Sequence, residues 1–499
     1  MGFIDNIVAK LSPKAAYERE AYRRAYDWLR NYDAGDYDRP NQNWRVDNQS
    51  AELTDRYSRM NVLARARDLE RNSDIMNSVI GAFERNIIGG GYSLQAQTGE
   101  PELNKTIEKA WKKWCKKRNC DVTGTQSLNQ MLRMAVHRKK VDGGILFVKR
   151  YTSDGYLPFK LQMVEVDELD SDTMVPHNQG NKVVGGIEYN KWNKPVGYFI
   201  RQYDLDGFTI TEPIWVKADD VIFYYSKKRP SQIREMSDMA PTITRIRDVN
   251  EFMMSISVKQ RIEACLSVFI KKTIPTGGIG RSGTGAASAD RTSYDGKMLS
   301  PGMIKELNAG DEVQVVNPAG QATDATSFTK LQQRLIGAGQ GISYEAMSRD
   351  MSESNYSSAS QGIIEDDLTC SAERELLTEV MDEIYETFVI SAVLAGKLDI
   401  PKFWDEGEKE RYLSHGWIKA PKPWIDPVKE STANRTAMET GQKTFKEIAG
   451  ENGKDWRQQL DDMAEVIDYA NNLGIDLTSI LFGQKTLEVI EQGEQQEKA

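Results

Sequence analysis

The feature that most constrains this chain is an apolar stripe beyond its midpoint. Ile364, Leu368, Ala372, Leu376, Val380, Ile384 and Phe388 recur at four-residue steps. An α-helix turns once in about 3.6 residues, so this spacing predicts the longest helix in the chain, running to Ala395 and stopped by Gly396. Its polar face is acidic, with Glu365, Asp366, Asp367, Glu373, Glu375, Glu379, Asp382, Glu383 and Glu386 against Arg374. A second pattern covers Pro241 to Lys271. Ile243, Ile246, Val249, Met253 and Ile256 follow helical spacing, Pro241 suits a first turn, and Ser237 or Asp238 could cap it. As one helix this stretch is a rod of about 46 Å.

The remaining segments read around these two. Lys14 to Asn31 predicts a helix, followed by the loop DAGDYDRPNQNW. Thr54 to Ile88 is helical with a break at Asn72-Ser73 and Asp74 as the cap, and Tyr92 to Ala96 reads as a strand. Glu102 to Arg118 is a basic helix with Trp111 and Trp114 on one side. It reads as a solvated face anchored by two tryptophans, in preference to a phosphate-facing helix. Gln126 to Val141 is helical. From Gly144 to Tyr225 the runs ILFVKRY, FKLQMVEV, GGIEYN, GYFIRQY and VIFYY predict strands. Thr273 to Tyr294 is rich in Gly, Ser and Ala and reads as a loop. Met303 to Leu307 and Glu312 to Val316 are strand-like, and Ser327 to Ile336 is a short helix. Residues 401 to 430, with Trp404, Trp417 and Trp424, read as packed and irregular; Pro427 to Leu473 returns to helix and the last dozen residues fray.

Composition narrows the function classes. With 499 residues the chain allows roughly two to four domains. It has 65 Lys and Arg against 74 Asp and Glu, a net charge of −9, which argues against a simple high-affinity DNA binder. No apolar run approaches the ~18 residues of a membrane span. The N-terminus lacks a long apolar core for secretion, and Asn6 stands where a myristoylation signal wants Ser or Thr, so the expected starting compartment is a cytoplasm. Four cysteines are too few for a disulfide scaffold. Cys115 and Cys120 have poor zinc spacing and read as ordinary thiols, and His137, His177 and His415 are far apart.

Catalytic signatures fail in turn. Gly278 to Gly283 has a phosphate-loop frame, but Thr284 stands where its Lys belongs. Gly337-Ala338-Gly339-Gln340-Gly341 misses the dinucleotide spacing by one position and follows no strand. There is no H-E-x-x-H and no G-x-S-x-G. Asp366-Asp367 and Asp461-Asp462 are neighbours on helices and read as solvated faces. Long helices, glycine-rich loops and no catalytic constellation describe an assembly component, not an enzyme.

Several stretches resemble the phage portal proteins of the lambda-like family. They are Arg65 to Asn72 with the Asn86 to Gly91 run, the Trp111-x-x-Trp114 region, Gly310 through Asn317-Pro318 to Phe328, and Gly341 to Glu345 followed by Asp350 and Asn355 to Ser358. Trp424 to Glu430 and Glu447 to Asp455 complete the set. Their order and spacing carry the resemblance across nearly the whole chain. One departure is Ser360, where the family often has an Arg after Tyr-Ser-Ser-x.

The resemblance implies an α+β portal-type fold, mostly helical, with a β-rich wing segment, long stem helices and a helical C-terminal crown. It divides the chain into an N-terminal arm (1–50), wing (51–240), stem helix (241–271), clip (272–326), second stem helix (327–340), tunnel loop (341–358), the wing's long helix with its connection (359–430) and crown (431–499). It implies a homo-oligomeric ring, usually of twelve subunits, at one vertex of a phage head, built in the host cytoplasm. Double-stranded DNA enters through it, driven by terminase, and leaves through it. The partners are terminase, major capsid and scaffolding proteins and tail adaptors, with no cofactor and no membrane. Implied site residues are Glu345, Arg349, Asp350, Ser354, Asn355 and Tyr356 in the tunnel loop, Lys272, Arg281, Arg291 and Lys297 in the clip, and Arg245, Arg247, Lys259 and Arg261 in the stem.

The acidic balance suits a conduit. A basic lining binds phosphates and holds the cargo; an acidic one lets the duplex slide, with a few cations such as Arg349 making brief contacts. Two other classes stay open: a ring-forming structural adaptor that moves no DNA, and a DNA-processing enzyme, which needs metal-binding carboxylates or a phosphate loop.

Overall fold

Ser73 separates the first two long helices of the main body. The computed structural model describes residues 12–28, 48–204, 206–207, 210–264, 268–271, 304–307, 325–353, 355–421, 426–475 and 477. These fall into two units, residues 1–54 and 55–499. The first unit holds helix α1 (Pro13–Trp28), which starts one residue before the predicted Lys14. After α2 (Ala51–Arg56) come α3 (Arg59–Asn72) and α4 (Asp74–Ile87). The break falls where the sequence puts it, but the cap is Ser73 and not Asp74. Ser73 is extended, with φ −120° and ψ 123°, and its hydroxyl accepts from the Met76 amide, one of four that a helix start leaves unpaired.

Strand β1 (Tyr92–Ala96) leads to α5 (Pro101–Trp114), α6 (Lys117–Cys120) and α7 (Leu128–Asp142). Helix α7 stops at Gly143, which has φ 93°. A Cβ there would lie 2.4 Å from the Met236 carbonyl carbon, so the site requires glycine on both conformational and steric grounds.

The β-rich segment comprises β2 (Gly144–Tyr151), β3 (Phe159–Val164), β4 (Lys182–Val184), β5 (Ile187–Tyr189), β6 (Pro195–Ile200), β7 (Ile214–Lys217) and β8 (Val221–Tyr225). All five predicted runs contain strands; β4 and β7 are additional. They form two antiparallel sheets, ordered β3-β2-β8 and β4-β5-β6-β7. Strand β2 is apolar on both faces because it serves two cores. Ile145 and Phe147 join the larger cluster, while Leu146 and Val148 join a second cluster with Val164, Ile187, Tyr198 and Val221.

Next come α8 (Ile243–Ala264), β9 (Val268–Lys271) and β10 (Ile304–Leu307). The predicted rod is therefore shorter: α8 has 22 residues, about 33 Å. Val268 to Lys271 pairs in parallel with Ile304 to Leu307, consistent with the β preference of Val-Phe-Ile. Pro241 precedes the helix, and neither proposed residue caps it. The Ser237 hydroxyl accepts from the Met239 amide, and Asp238 is engaged by lysines.

Helix α9 (Ala325–Gln340) overruns its predicted end through two glycines, because they fit tight contacts. A Cβ on Gly337 would stand 2.7 Å from the Ile342 carbonyl oxygen. Then come α10 (Tyr344–Ser348) and α11 (Tyr356–Leu394), a 39-residue helix ending at Gly396, φ 64°. The predicted stripe holds only in its second half. Val380, Ile384 and Phe388 are buried, but Ile364 and Leu368 are 54% and 63% exposed. The acidic face is likewise mixed, since Asp366, read as solvated, is buried.

Helix α12 (Glu408–Leu413), strand β11 (His415–Lys419) and helices α13 (Pro427–Glu439), α14 (Phe445–Glu451) and α15 (Trp456–Asn472) complete the chain. The segment read as irregular thus contains a strand. β11 pairs antiparallel with β1, Tyr92 opposite Lys419 and Ala96 opposite His415. Beside this pair lies the aromatic centre of the larger core. Trp114 stacks on Phe159 at 5.2 Å and donates its indole N–H to the Phe159 carbonyl at 2.9 Å; Trp111 packs edge-on against Phe388 at 5.0 Å. The two tryptophans anchor α5 as the sequence predicts. Predictions for Thr273–Tyr294, Glu312–Val316 and the last dozen residues lie outside the described residues.

Candidate functional site

The segment that joins α9 to α11 is built from short-range hydrogen bonds. Ser343 caps α10, its hydroxyl accepting from the Ala346 amide. Asp366, almost three turns into α11, accepts from the Ser343 amide at 2.6 Å and from its hydroxyl at 2.7 Å. This carboxylate ties residues 343–348 to the long helix. The Ser78 hydroxyl donates to the Met347 carbonyl, and Arg85 donates to the Ala346 carbonyl at 3.2 Å, fixing α10 on α4. Lys330 and Arg334 of α9 meet Glu353 at 2.8 and 3.2 Å.

The expected loop residues take distinct places. Glu345 lies in the first turn of α10. Arg349 ends that helix in the left-handed region, φ 58°. Burial and the nearby Arg349 guanidinium both push the Arg85 pKa down. Asp350 accepts from the Ser352 amide at 3.0 Å and the Tyr344 hydroxyl at 3.3 Å; the Ser352 bonds lead in holding its pKa low. Asn355 caps α11, accepting from the Ser358 amide at 2.8 Å, and Tyr356 opens the helix. Ser354 and all four clip residues, Lys272, Arg281, Arg291 and Lys297, lie outside the described residues. The interval 341–358 is thus a helical turn and a capped helix start as well as a loop.

The four stem cations all sit on α8. Arg247 pairs with Asp248 at 2.8 Å and Glu251 at 3.6 Å, and Arg261 donates to the Ser257 carbonyl at 3.4 Å. Arg245 and Lys259 are both half-buried. Helices α8 and α9 meet through Phe252 and Phe328, edge-on at 4.6 Å. Past that contact their apolar residues face outward: Met254 is 70% and Leu331 54% exposed, with Met253, Val258 and Leu335 also exposed.

Sequence reasoning missed the junction at the base of α8. Lys139 and Lys140 of α7 both reach Asp238 and Glu373, at 2.9 and 2.7 Å for Lys139 and 3.3 and 3.0 Å for Lys140. Gln340, at the end of α9, donates to the Asp238 carbonyl at 3.2 Å and the Thr242 hydroxyl at 3.0 Å. Burial opposes ionisation of Asp238, but Lys140 and Lys139 outweigh it and hold its pKa down to about 2. Burial also opposes the charge on Lys140, and Asp238 and Glu373 outweigh that. The only local signal was Lys139-Lys140 falling on a helix otherwise needed for the core.

The histidines do not converge. Both His137 ring nitrogens face carboxylates, Glu84 at 2.5 Å and Glu70 at 2.8 Å. Burial lowers its pKa, but these bonds dominate and raise it to about 9. His177 stacks on Trp215 at 4.3 Å, and His415 meets Asp382 at 2.9 Å. Cys115, Cys120 and Cys370 carry free thiols. Among the described residues no group of three His, Cys, Asp or Glu is arranged to hold a metal ion, and no helix is long and apolar enough to cross a membrane.

A family profile described as phage portal protein, lambda family, matches residues 37–374. The chain belongs to that family. The match takes in α8, α9, the joining segment and the first half of α11, and it ends beside Glu373 of the junction. Among known portal proteins, the chain is 25% identical over 434 residues to the probable portal protein of Halomonas phage phiHAP-1, covering 82% of this chain and 80% of that protein. It is 21% identical to the portal protein of Escherichia phage N15, covering 83% and 85%. It is 19% identical to portal protein B of Escherichia phage lambda, covering 84% and 85%. The neck of an empty gene transfer agent particle matches 79% of this chain and 93% of that chain at 14% identity and a TM-score of 0.37, too loose a match to carry an argument. As a portal-family chain of mixed α and β structure, it has a general connector-type role.

Proposed function

We propose that this chain is the subunit of a closed ring, near twelve copies, at one vertex of a phage head. Double-stranded DNA is packaged through the ring by terminase and leaves through it, and the ring carries tail or head-completion proteins after packaging. Capsid and scaffolding proteins seat it during assembly in the host cytoplasm. Its work is mechanical, with no catalytic step.

The observation that carries this reading is the family match spanning the helix pair and the joining segment. The outward apolar residues of α8 and α9 support it. Head-to-tail contacts between identical subunits close into a ring when the rotation between neighbours closes, and such contacts need a face of this kind. In this reading 241–271 and 327–340 are the stem, 272–326 the clip, 341–358 the tunnel segment and 431–499 the crown. Arg349 and the neighbouring carboxylates Glu345 and Asp350 then lie at the channel.

Negative-stain imaging with native mass measurement of the purified protein tests it. Rings with a central hole and about twelve copies are expected. A compact dimer without a hole overturns the reading and returns the enzyme class to consideration. Within assembled particles, Glu345→Lys with Asp350→Lys is expected to slow packaging, and unchanged packaging would count against an acidic lining.

A further inference from the structure

Helix α5 presents two faces of opposite character. Asn104, Ile107, Ala110, Trp111 and Trp114 are buried. Lys105, Lys109, Lys112 and Lys113 occupy an arc of about 100° on the other side, at about 100° per residue. The aromatic anchoring described above leaves the helix no freedom to roll, so the lysine side faces solvent. The stripe then continues through Lys116, Lys117 and Arg118 of the α6 turn, all exposed. From Pro101 to Cys120 the only carboxylates besides these cations are Glu102 and Glu108. Glu108 accepts from the Ala96 amide at 3.0 Å at the edge of the arc, near Lys112, and the exposed Glu102 lies within the arc, near Lys105, so the face keeps a strong excess of positive charge.

Lys105 meets Asp461 at 3.2 Å, and Lys113 lies over the Tyr156 ring at 4.2 Å. Lys109, Lys112, Lys116, Lys117 and Arg118 form no ion pair with any described carboxylate. In a chain of net charge −9 this is a concentration of cations of which most have no ion-pair partner among the described residues.

We propose that the lysine face of α5 and α6 is a sequence-independent contact for the phosphate backbone of double-stranded DNA, separate from residues 341–358. Two features select DNA over an acidic protein partner. Protein interfaces centre on aromatic and other apolar groups and are poor in Lys, whereas this face holds lysines with no exposed large apolar residue of α5 or α6 among them. A row of mobile point charges with no base-reading side chain matches phosphate contact alone. The charge run that the sequence offers as a phosphate-facing helix and the anchored face are thus one helix seen from two sides. The proposal needs no ring and no channel, so it stands or falls apart from the proposed function.

The test is fluorescence anisotropy of the full-length protein with two unrelated 30-base-pair duplexes across a salt series. The variants are Lys109→Gln/Lys112→Gln/Lys116→Gln/Lys117→Gln, and a control neutralising Lys429, Arg435, Lys443 and Lys446 in the C-terminal helices. Both duplexes are expected to bind wild type equally. The quadruple variant is expected to lose about tenfold or more in affinity at low salt, with the slope of log affinity against log salt falling by about 3 to 4. Thermal melting of each variant separates this from unfolding. A single variant, Lys109→Gln, takes its place if the quadruple one does not fold, with an expected slope change of about 1. An unchanged slope, an equal loss in the control, or full competition by polyglutamate at matched charge overturns the proposal.

Discussion

The body around the second half of α11 and the α8–α9 pair draw on the same residue types and use them in opposite ways. In the body, Trp114, Phe159, Tyr385 and Phe388 are wholly enclosed, and even the charges of Lys139 and Lys140 are buried against their counter-ions. In the helix pair, Phe252 against Phe328 is followed by methionines and leucines facing water. The body meets its apolar requirement within one chain. In the proposed ring the pair carries half of a contact whose other half lies on a neighbouring subunit. Stability is therefore expected to reside in the first and assembly in the second.

The strongest way to break that contrast is Trp114→Ala. It empties a stacked, hydrogen-bonded site and is expected to cost about 3–5 kcal/mol of stability by urea denaturation. A loss below about 1 kcal/mol would mean that the aromatic centre is not what holds the body. Next is Glu373→Gln, which leaves two buried lysines sharing Asp238 alone. About 3 kcal/mol is expected from the same measurement, since removing one partner strands a buried charge.

The pH dependence sharpens the contrast. His137 has a folded-state pKa raised from 6.5 to about 9, so its contribution is full below 6.5 and is lost as pH rises through 9. Asp238, lowered from 3.8 to about 2, contributes above 3.8 and loses that contribution as pH falls toward 2. The urea midpoint is expected to decline on both sides, and His137→Gln to flatten the alkaline arm only. The smallest effect belongs to the helix pair. Met254→Ser with Leu331→Ser is expected to move single-chain stability by less than about 0.5 kcal/mol. The same change is expected to reduce the assembled fraction in sedimentation velocity. A destabilised monomer with normal assembly would reverse the assignment.

How much of this was legible follows from range. Helix existence and the five strand runs follow from local periodicity, and so does the ending of α11 at Gly396. Helix ends were less legible: Val268 to Lys271 continues an apolar pattern but is paired with residues 304–307, a partner that no local window reveals. β11 escaped notice for the same reason, since its partner is β1. At the candidate site, the family stretches located residues 341–358 but not their internal helix. The pairing of Lys139 and Lys140 with Asp238 and Glu373 joins three distant segments by charge alone. The stripe of α11 departs from the sequence reading at Ile364 and Leu368 because local apolar spacing predicts a buried face, whereas these two side chains are exposed in the single chain.

The pairing of β1 with β11 also orders events in time. A ribosome delivers Tyr92 to Ala96 more than three hundred residues before His415 to Lys419. Until the later strand emerges, one edge of the early strand stays open and Trp111 lacks its Trp417 neighbour, 5.6 Å away in the finished fold. Long-range closure of this kind is slow and exposes unpaired strand edge meanwhile. Synthesis of nearly the whole chain thus precedes completion of its core. A nascent chain halted at residue 400 is expected to be cut by protease near Tyr92, and one halted beyond residue 460 to be protected there.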